Sequence, residues 1–167
     1  MSIKGAAGKL VEKVTGTRIY RSLPFGIDLG QDISKLLPMC RFEVVFDVGA
    51  NLGQQAKVFL HEFPSSHVYC FEPVSSTYRQ LKANLGHCKR VDCYQLAFGS
   101  CKSKGEMVLQ GSSDMFFLLD QSKEKPMSHE IPTEPVDIVT LDEFCRTKGI
   151  DRINYLKIDT EGGIWRY

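Results

Sequence analysis

The sequence predicts an α/β fold: a mostly parallel sheet with helices on both faces. Three observations predict it. Short apolar runs alternate with segments of helical periodicity along the chain. One stretch, "VVFDVGANLGQQAKVFL" from Val44 to Leu60, passes from a buried strand through a glycine-punctuated turn into a helix. Successive strands end at Asp47, Glu72, Ala97 and Asp159, and in such sheets ligands bind outside the carboxyl ends of the strands.

The elements follow in order. Residues 1–40 read as a helical lead-in, and 41–167 as the main domain. In "DISKLL", Ile33, Leu36 and Leu37 share one face, and Pro38 stops the helix. Val44–Phe46 is a short continuous apolar run, as in a strand covered on both faces. Ala56, Phe59, Leu60 and Phe63 recur at helical spacing over Gln54–Phe63, and Pro64 ends that helix. "HVYCFE" is the second strand, and the right-handed crossover rule sets it beside the first. Tyr78, Leu81 and Leu85 mark another helix, with Gly86 at its end.

"CYQLA" reads as a third strand, and the alternation then breaks. "GEMVLQ" is an extra strand and "MFFLL" a short apolar segment. "DQSKEKPMSHEIPTEP" is polar and proline-bearing, hence a loop. "VDIVT" is another strand. Thr140 and Glu143 have the spacing of a capping box, so a helix begins there and stops near Gly149. "INYLKID" is the last strand.

Composition excludes several function classes. The chain has 167 residues, enough to bury a core without disulfides or metals. Its net charge of +1 gives no reason to expect nucleic acid as a partner. No apolar stretch is long enough to span a bilayer, and the first residues lack the apolar region of a secretory signal. Cys40, Cys70, Cys88, Cys93, Cys101 and Cys145 form no CxxC pair, which fits reduced thiols in a cytoplasmic protein. His61, His67, His87 and His129 are scattered, and no metal site is visible.

The turn "DVGANLG" carries the chemistry. Gly49 lets the chain leave the strand tightly, and Asn51 tolerates left-handed backbone angles. Gly53 lets the helix start lie close to a strand or a ligand, and the turn's amides are expected to face whatever occupies the strand end. Glu72 follows at about the 20-residue interval at which nucleotide folds place a ribose-binding acid. Its carboxylate can accept from both hydroxyls of a diol. Asp47, just ahead of the turn, is a poor neighbour for a pyrophosphate and suits a ligand with a positive amino group. That charge argument favours S-adenosylmethionine over a nicotinamide dinucleotide.

"FDVGANLG", "CFEP", "LAFG", "TLDEF" and "LKIDTEGG" occur in the order and approximate spacing of FkbM-type methyltransferases, which the chain resembles from about Val44 to Gly163. The resemblance implies a class I, Rossmann-like methyltransferase fold and transfer of a methyl group from S-adenosylmethionine to a hydroxyl of a small metabolite or sugar. It implies that Asp47, Gly49, Ala50, Asn51 and Gly53 hold the methionine end of the cofactor. Glu72, with Pro73 beside it, takes the ribose, and Gln95, Leu96 and Ala97 line the adenine. Asp159 and Glu161 fall beside the reacting centre.

Positioning donor and acceptor can lower such a barrier by up to about 7–11 kcal/mol, and a base for the hydroxyl adds about 10²–10⁴-fold. A carboxylate with a pKa of about 4 is a weak base unless burial or a second acid raises it. Asp159 and Glu161 are therefore either bases or groups that orient the cofactor or bind the substrate. His129 is closer in pKa, and Asp114 is a second loop residue within possible reach. Only Ile164–Tyr167 follow "LKIDTEGG", whereas the family continues with a further helix and strands. The sheet is thus expected to be incomplete at the C-terminus, with the strand before Asp159 at its edge, open to a missing segment or a second chain. Rival readings are a fragment of a nicotinamide-dependent oxidoreductase and a non-catalytic nucleoside-binding or assembly module.

Overall fold

Five residues, "VVFDV", start the sheet. The apolar, β-branched run forms strand β1 (Val44–Val48), buried along nearly its whole length in the computed structural model. The structure describes residue 26 and residues 29–109, 117–118 and 132–159. It divides into two compact units, Met1–Cys40 and Arg41–Tyr167. In the first, helix α1 (Leu29–Leu36) stops before Pro38, and the buried Asp32 carboxylate accepts from the Gly26 amide at 2.6 Å.

In the second unit β1 pairs in parallel with β2 (His67–Phe71), Val45 facing Val68, so the two strands are neighbours as the crossover rule requires. Strand β3 (Val91–Tyr94) lies outside β2, and β8 (Tyr155–Ile158) lies on the other side of β1. The all-parallel order is β3–β2–β1–β8, which leaves β8 as an edge strand among the described residues. Asn154 sets the β8 register: its Oδ1 accepts from the amides of Glu43 and Val44 at 3.1 and 2.9 Å.

Helices cover both faces. On one side lie α2 (Gln54–Glu62) and α3 (Ser75–Leu85). Helix α2 buries Ala56 and Phe59, and the Phe59 ring packs 5.2 Å from Tyr155 of β8. Helix α3 buries Thr77, Leu81 and Leu85 and ends at Gly86, whose backbone there is right-handed. On the other side lies α4 (Leu141–Lys148), whose buried Phe144 sets its ring edge-on to Phe46, Phe71 and Tyr94. Successive strand residues point to opposite faces, so Phe46 and Phe71 face α4 while Asp47 and Cys70 face the other layer. At the start of α4 the Thr140 hydroxyl accepts from the Glu143 amide at 3.1 Å, as the capping-box spacing predicts. The Glu143 carboxylate pairs with Lys102 Nζ at 3.1 Å, and the helix ends at Gly149 with φ 65°.

The third strand departs from its expected span. "CYQLA" does not run through: β3 ends at Tyr94, and Ala97–Phe98 form β4 in a second sheet. Beyond Phe71 the neighbouring strand has given way to Glu72 and Pro73, and a proline has no amide to donate. Gln95 instead turns its side chain to the Pro73 carbonyl (3.4 Å) and the Ser75 hydroxyl (2.8 Å). The second sheet also contains β5 (Ser103–Val108), β6 (Phe117–Leu118) and β7 (Thr133–Val139), in the order β4–β7–β5–β6. Here "TEP", expected to be loop, belongs to β7. Pro135 fits because β4 pairs with β7 at Ile138 and Val139, so at position 135 that side of the strand is unpaired among the described residues. Val74, Met107, Val136 and Ile138 form the buried cluster of this sheet.

Candidate functional site

The turn from β1 into α2 is held in place by the end of β2. The amides of Gly49 and Ala50 both donate to the Phe71 carbonyl at 3.0 Å. The Asn51 amide donates to Glu72 Oε2 at 3.1 Å, and the Val74 amide donates to Oε1 at 3.1 Å. Glu72's own amide donates to the Tyr94 carbonyl at 3.0 Å. One carboxylate thus joins the β1–α2 turn, the end of β2 and the start of α3. The turn's amides, expected to face a ligand, are taken up by the chain at Gly49, Ala50 and Asn51. Glu72 is 7% exposed, and burial raises its pKa above the ordinary carboxylate value against the pull of the two amides.

The glycines answer to close packing within the chain. Gly49 has φ 74°, and a Cβ there would stand 2.0 Å from the Asp159 carbonyl oxygen. Gly53 has φ 87°, and its Cβ would stand 2.5 Å from Leu85 Cδ1. What approaches Gly53 is the neighbouring helix, where the expectation was a strand or a ligand. Asn51 takes the left-handed angle expected of it, φ 48°.

Asp47 is fully buried, and burial raises its pKa. Lys157, its register partner on β8, places Nζ 3.0 Å from Asp47 Oδ1, 3.1 Å from the Gly49 carbonyl and 3.4 Å from Asp159 Oδ2. The contact with Asp47 is a buried ion pair. The positive charge expected beside Asp47 from a ligand's amino group is therefore met, within the chain, by Lys157.

The remaining expected residues are dispersed by degree. Asp47, Gly49, Ala50, Asn51, Glu72 and Asp159 share one rim of the sheet. Pro73 is half-buried beside it, and Gln95 is exposed and tied to Pro73 and Ser75. Leu96 packs on the Phe46–Phe71–Phe144 cluster, and Ala97, expected at a strand's end, begins β4 in the second sheet. Asp159 follows β8 with a side chain 68% exposed. Glu161, His129 and Asp114 lie outside the described residues.

Two residues of the rim escaped the sequence reading. Lys157 sits two positions before Asp159, hence on the same strand face, and a lysine inside an apolar strand needs an acid; that was the available signal. Glu134 of β7 accepts from the amide and the hydroxyl of Ser75 at the start of α3 and adds its negative charge near Glu72. Nothing in "IPTEP" marks it. Among the described residues no group of His, Cys, Asp and Glu is placed to hold a metal ion, and no helix is long and apolar enough to cross a membrane.

Comparison with known proteins bears on this rim. The model of the methyltransferase FkbM domain matches residues 47–163. 2-O-methyltransferase NoeI of Sinorhizobium fredii (strain NBRC 101917 / NGR234) is 25% identical over 129 residues, which cover 71% of this chain and 53% of NoeI. The chain therefore spans about half the length of this curated relative. No solved structure matches it. The matched stretch runs from the buried acid of β1 past Asp159, taking in every residue of the rim just described, and the chain belongs to the FkbM-domain methyltransferase family.

Proposed function

We propose that the chain binds S-adenosylmethionine at this rim and serves an O-methyltransferase acting on a hydroxyl of a small metabolite or sugar. The observation that supports the reading is the Glu72–Asn51 link at 3.1 Å, which sets the acid assigned here to the ribose against the glycine turn. Each Glu72 oxygen accepts one amide and keeps a lone pair, so the carboxylate can still take the two hydroxyls of a ribose. The residues therefore fit the cofactor. Gly49, Ala50 and Asn51 lie where its methionine end would rest, and Gln95 and Leu96 border the adenine side. Asp47 acts from beneath, holding Lys157 and through it the Gly49 carbonyl. When bound, the cofactor supplies a methyl carbon activated by a sulfonium.

The chain's contribution is positioning, worth up to about 7–11 kcal/mol when geometry is good. Asp159 is too exposed to gain the burial a proton-abstracting carboxylate needs, so its place beside Lys157 suits an orienting role. Methyl transfer by NoeI to a 2-O position, as its name states, supports a hydroxyl acceptor.

Calorimetry tests the reading. S-adenosylhomocysteine should bind, and Glu72→Ala should weaken it by about 10-fold or more, the loss of charge-assisted hydrogen bonds of about 1.5–3 kcal/mol each. Glu72→Gln, which keeps the shape of the side chain and one accepting oxygen, is the milder variant that guards against misfolding. Binding of NADH and not S-adenosylhomocysteine would transfer the rim to a nicotinamide cofactor. Binding of S-adenosylhomocysteine without methyl transfer to any hydroxylated acceptor would leave a nucleoside-binding module.

A further inference from the structure

Four side chains form a row across the parallel sheet. Lys157, Asp47, Cys70 and Cys93 occupy successive register positions on β8, β1, β2 and β3. Register partners on parallel strands project to the same face, so the thiols of Cys70 and Cys93 stand side by side on the α2–α3 face. Both are free thiols, on residues paired directly across the β2–β3 register. Adjacent strands run about 4.8 Å apart, inside the Cα separation of about 4.4–6.8 Å that a disulfide spans. Cys70 is fully buried, whereas Cys93 is half-buried.

We propose that Cys70 and Cys93 form a redox modification site, a dithiol that closes to a disulfide between β2 and β3 when hydrogen peroxide reaches Cys93. The Cys93 thiolate attacks one peroxide oxygen, the O–O bond breaks, and water leaves once the departing oxygen is protonated; Cys93 is then a sulfenic acid. The Cys70 sulfur displaces that hydroxyl, forming the S–S bond, and the Cys70 proton leaves with it as a second water. The protein loses two electrons and the peroxide gains them.

The surroundings divide the roles. The hydrogen bond from Cys70 holds the Cys93 thiol below its ordinary pKa, and the nearby Lys82 of α3 helps, against burial and Asp92. Cys70 is pushed far up by the same hydrogen bond, by burial and by Asp47, with Lys157 opposing. A partly exposed thiolate beside a buried thiol is the arrangement in which the first is oxidised and the second resolves it. Cys40 and Cys101 are exposed and serve as internal references for unselective oxidation.

The test uses the full reduced chain, treated with equimolar hydrogen peroxide, alkylated, digested and mapped by mass spectrometry. The expected product is the Cys70 and Cys93 peptides joined, lighter by a pair of hydrogen atoms and separated again by a dithiol reductant. Cys70→Ala should leave a sulfenic acid on Cys93 that dimedone captures, and Cys93→Ser should leave Cys70 reduced. Should Cys70→Ala not fold, the linkage map of the unaltered chain still decides. Full alkylation of both Cys70 and Cys93 after treatment, with oxidation confined to Cys40 and Cys101, would overturn the proposal, as would a disulfide joining either residue to another cysteine.

Discussion

Asp47 and Glu72 are both buried acids at the ends of neighbouring strands, and the fold satisfies them by opposite means. Asp47 faces an ammonium, Lys157 Nζ at 3.0 Å. Glu72 faces two backbone amides, each at 3.1 Å, and among the described residues no cation stands within ion-pair reach. The difference separates support from recognition. A charge matched by a charge has little left to offer a ligand, and its loss exposes its partner. A carboxylate held by amides keeps lone pairs free and remains able to accept a ligand's hydroxyls.

The largest expected effect strikes the ion pair. Lys157→Met should cost about 3–5 kcal/mol of stability in urea unfolding, because it strands Asp47 as an uncompensated buried charge. Adding Asp47→Asn to that variant should restore much of the loss. A cost under about 1 kcal/mol would put Lys157 among ordinary surface pairs and erase the distinction between the two acids.

Next comes the turn that both acids hold. Gly49→Ala meets the Asp159 carbonyl and must adopt a left-handed backbone, which alone costs about 1–3 kcal/mol. A lowered melting temperature is expected even without cofactor. An unchanged melting temperature together with weaker S-adenosylhomocysteine binding would mean that a ligand, and not the chain, requires that glycine.

The pH dependence sharpens the comparison further. Both carboxyls are raised by burial, so each binds its proton more tightly in the folded chain than in the unfolded one. Their contribution to stability is therefore greatest below the ordinary carboxyl values, 3.8 for Asp47 and 4.5 for Glu72, and is lost as pH rises through the raised values. Urea unfolding from pH 4 upward should show Asp47→Asn removing part of that decline. A steeper decline in the variant would reverse the sign assigned to Asp47.

Local pattern carried much of this. The strand–turn–helix at Val44–Leu60, the helix stop at Pro64 and the Thr140 cap depend on neighbours in sequence, and each appears where the pattern sets it. Glu72 was legible for the same reason: it follows a strand whose place beside β1 the crossover rule gives. The misses are non-local. That β3 ends at Tyr94 depends on where β2 ends, and that "TEP" is strand depends on β5 lying alongside. Lys157 meets Asp47 only because β8 is set beside β1 in one particular register, across more than a hundred residues of chain. The glycines were recognised as sites of close approach, but only the packed structure says what approaches them.

The most direct test asks whether Glu72 recognises a ribose hydroxyl. S-adenosylhomocysteine and its 2′-deoxy analogue are titrated into the unaltered chain and into Glu72→Gln. The account predicts that removing the hydroxyl weakens binding to the unaltered chain by about 10-fold, and clearly less in the variant, since that contact is already impaired. Equal losses in both proteins would place the hydroxyl elsewhere and contradict the assignment of Glu72.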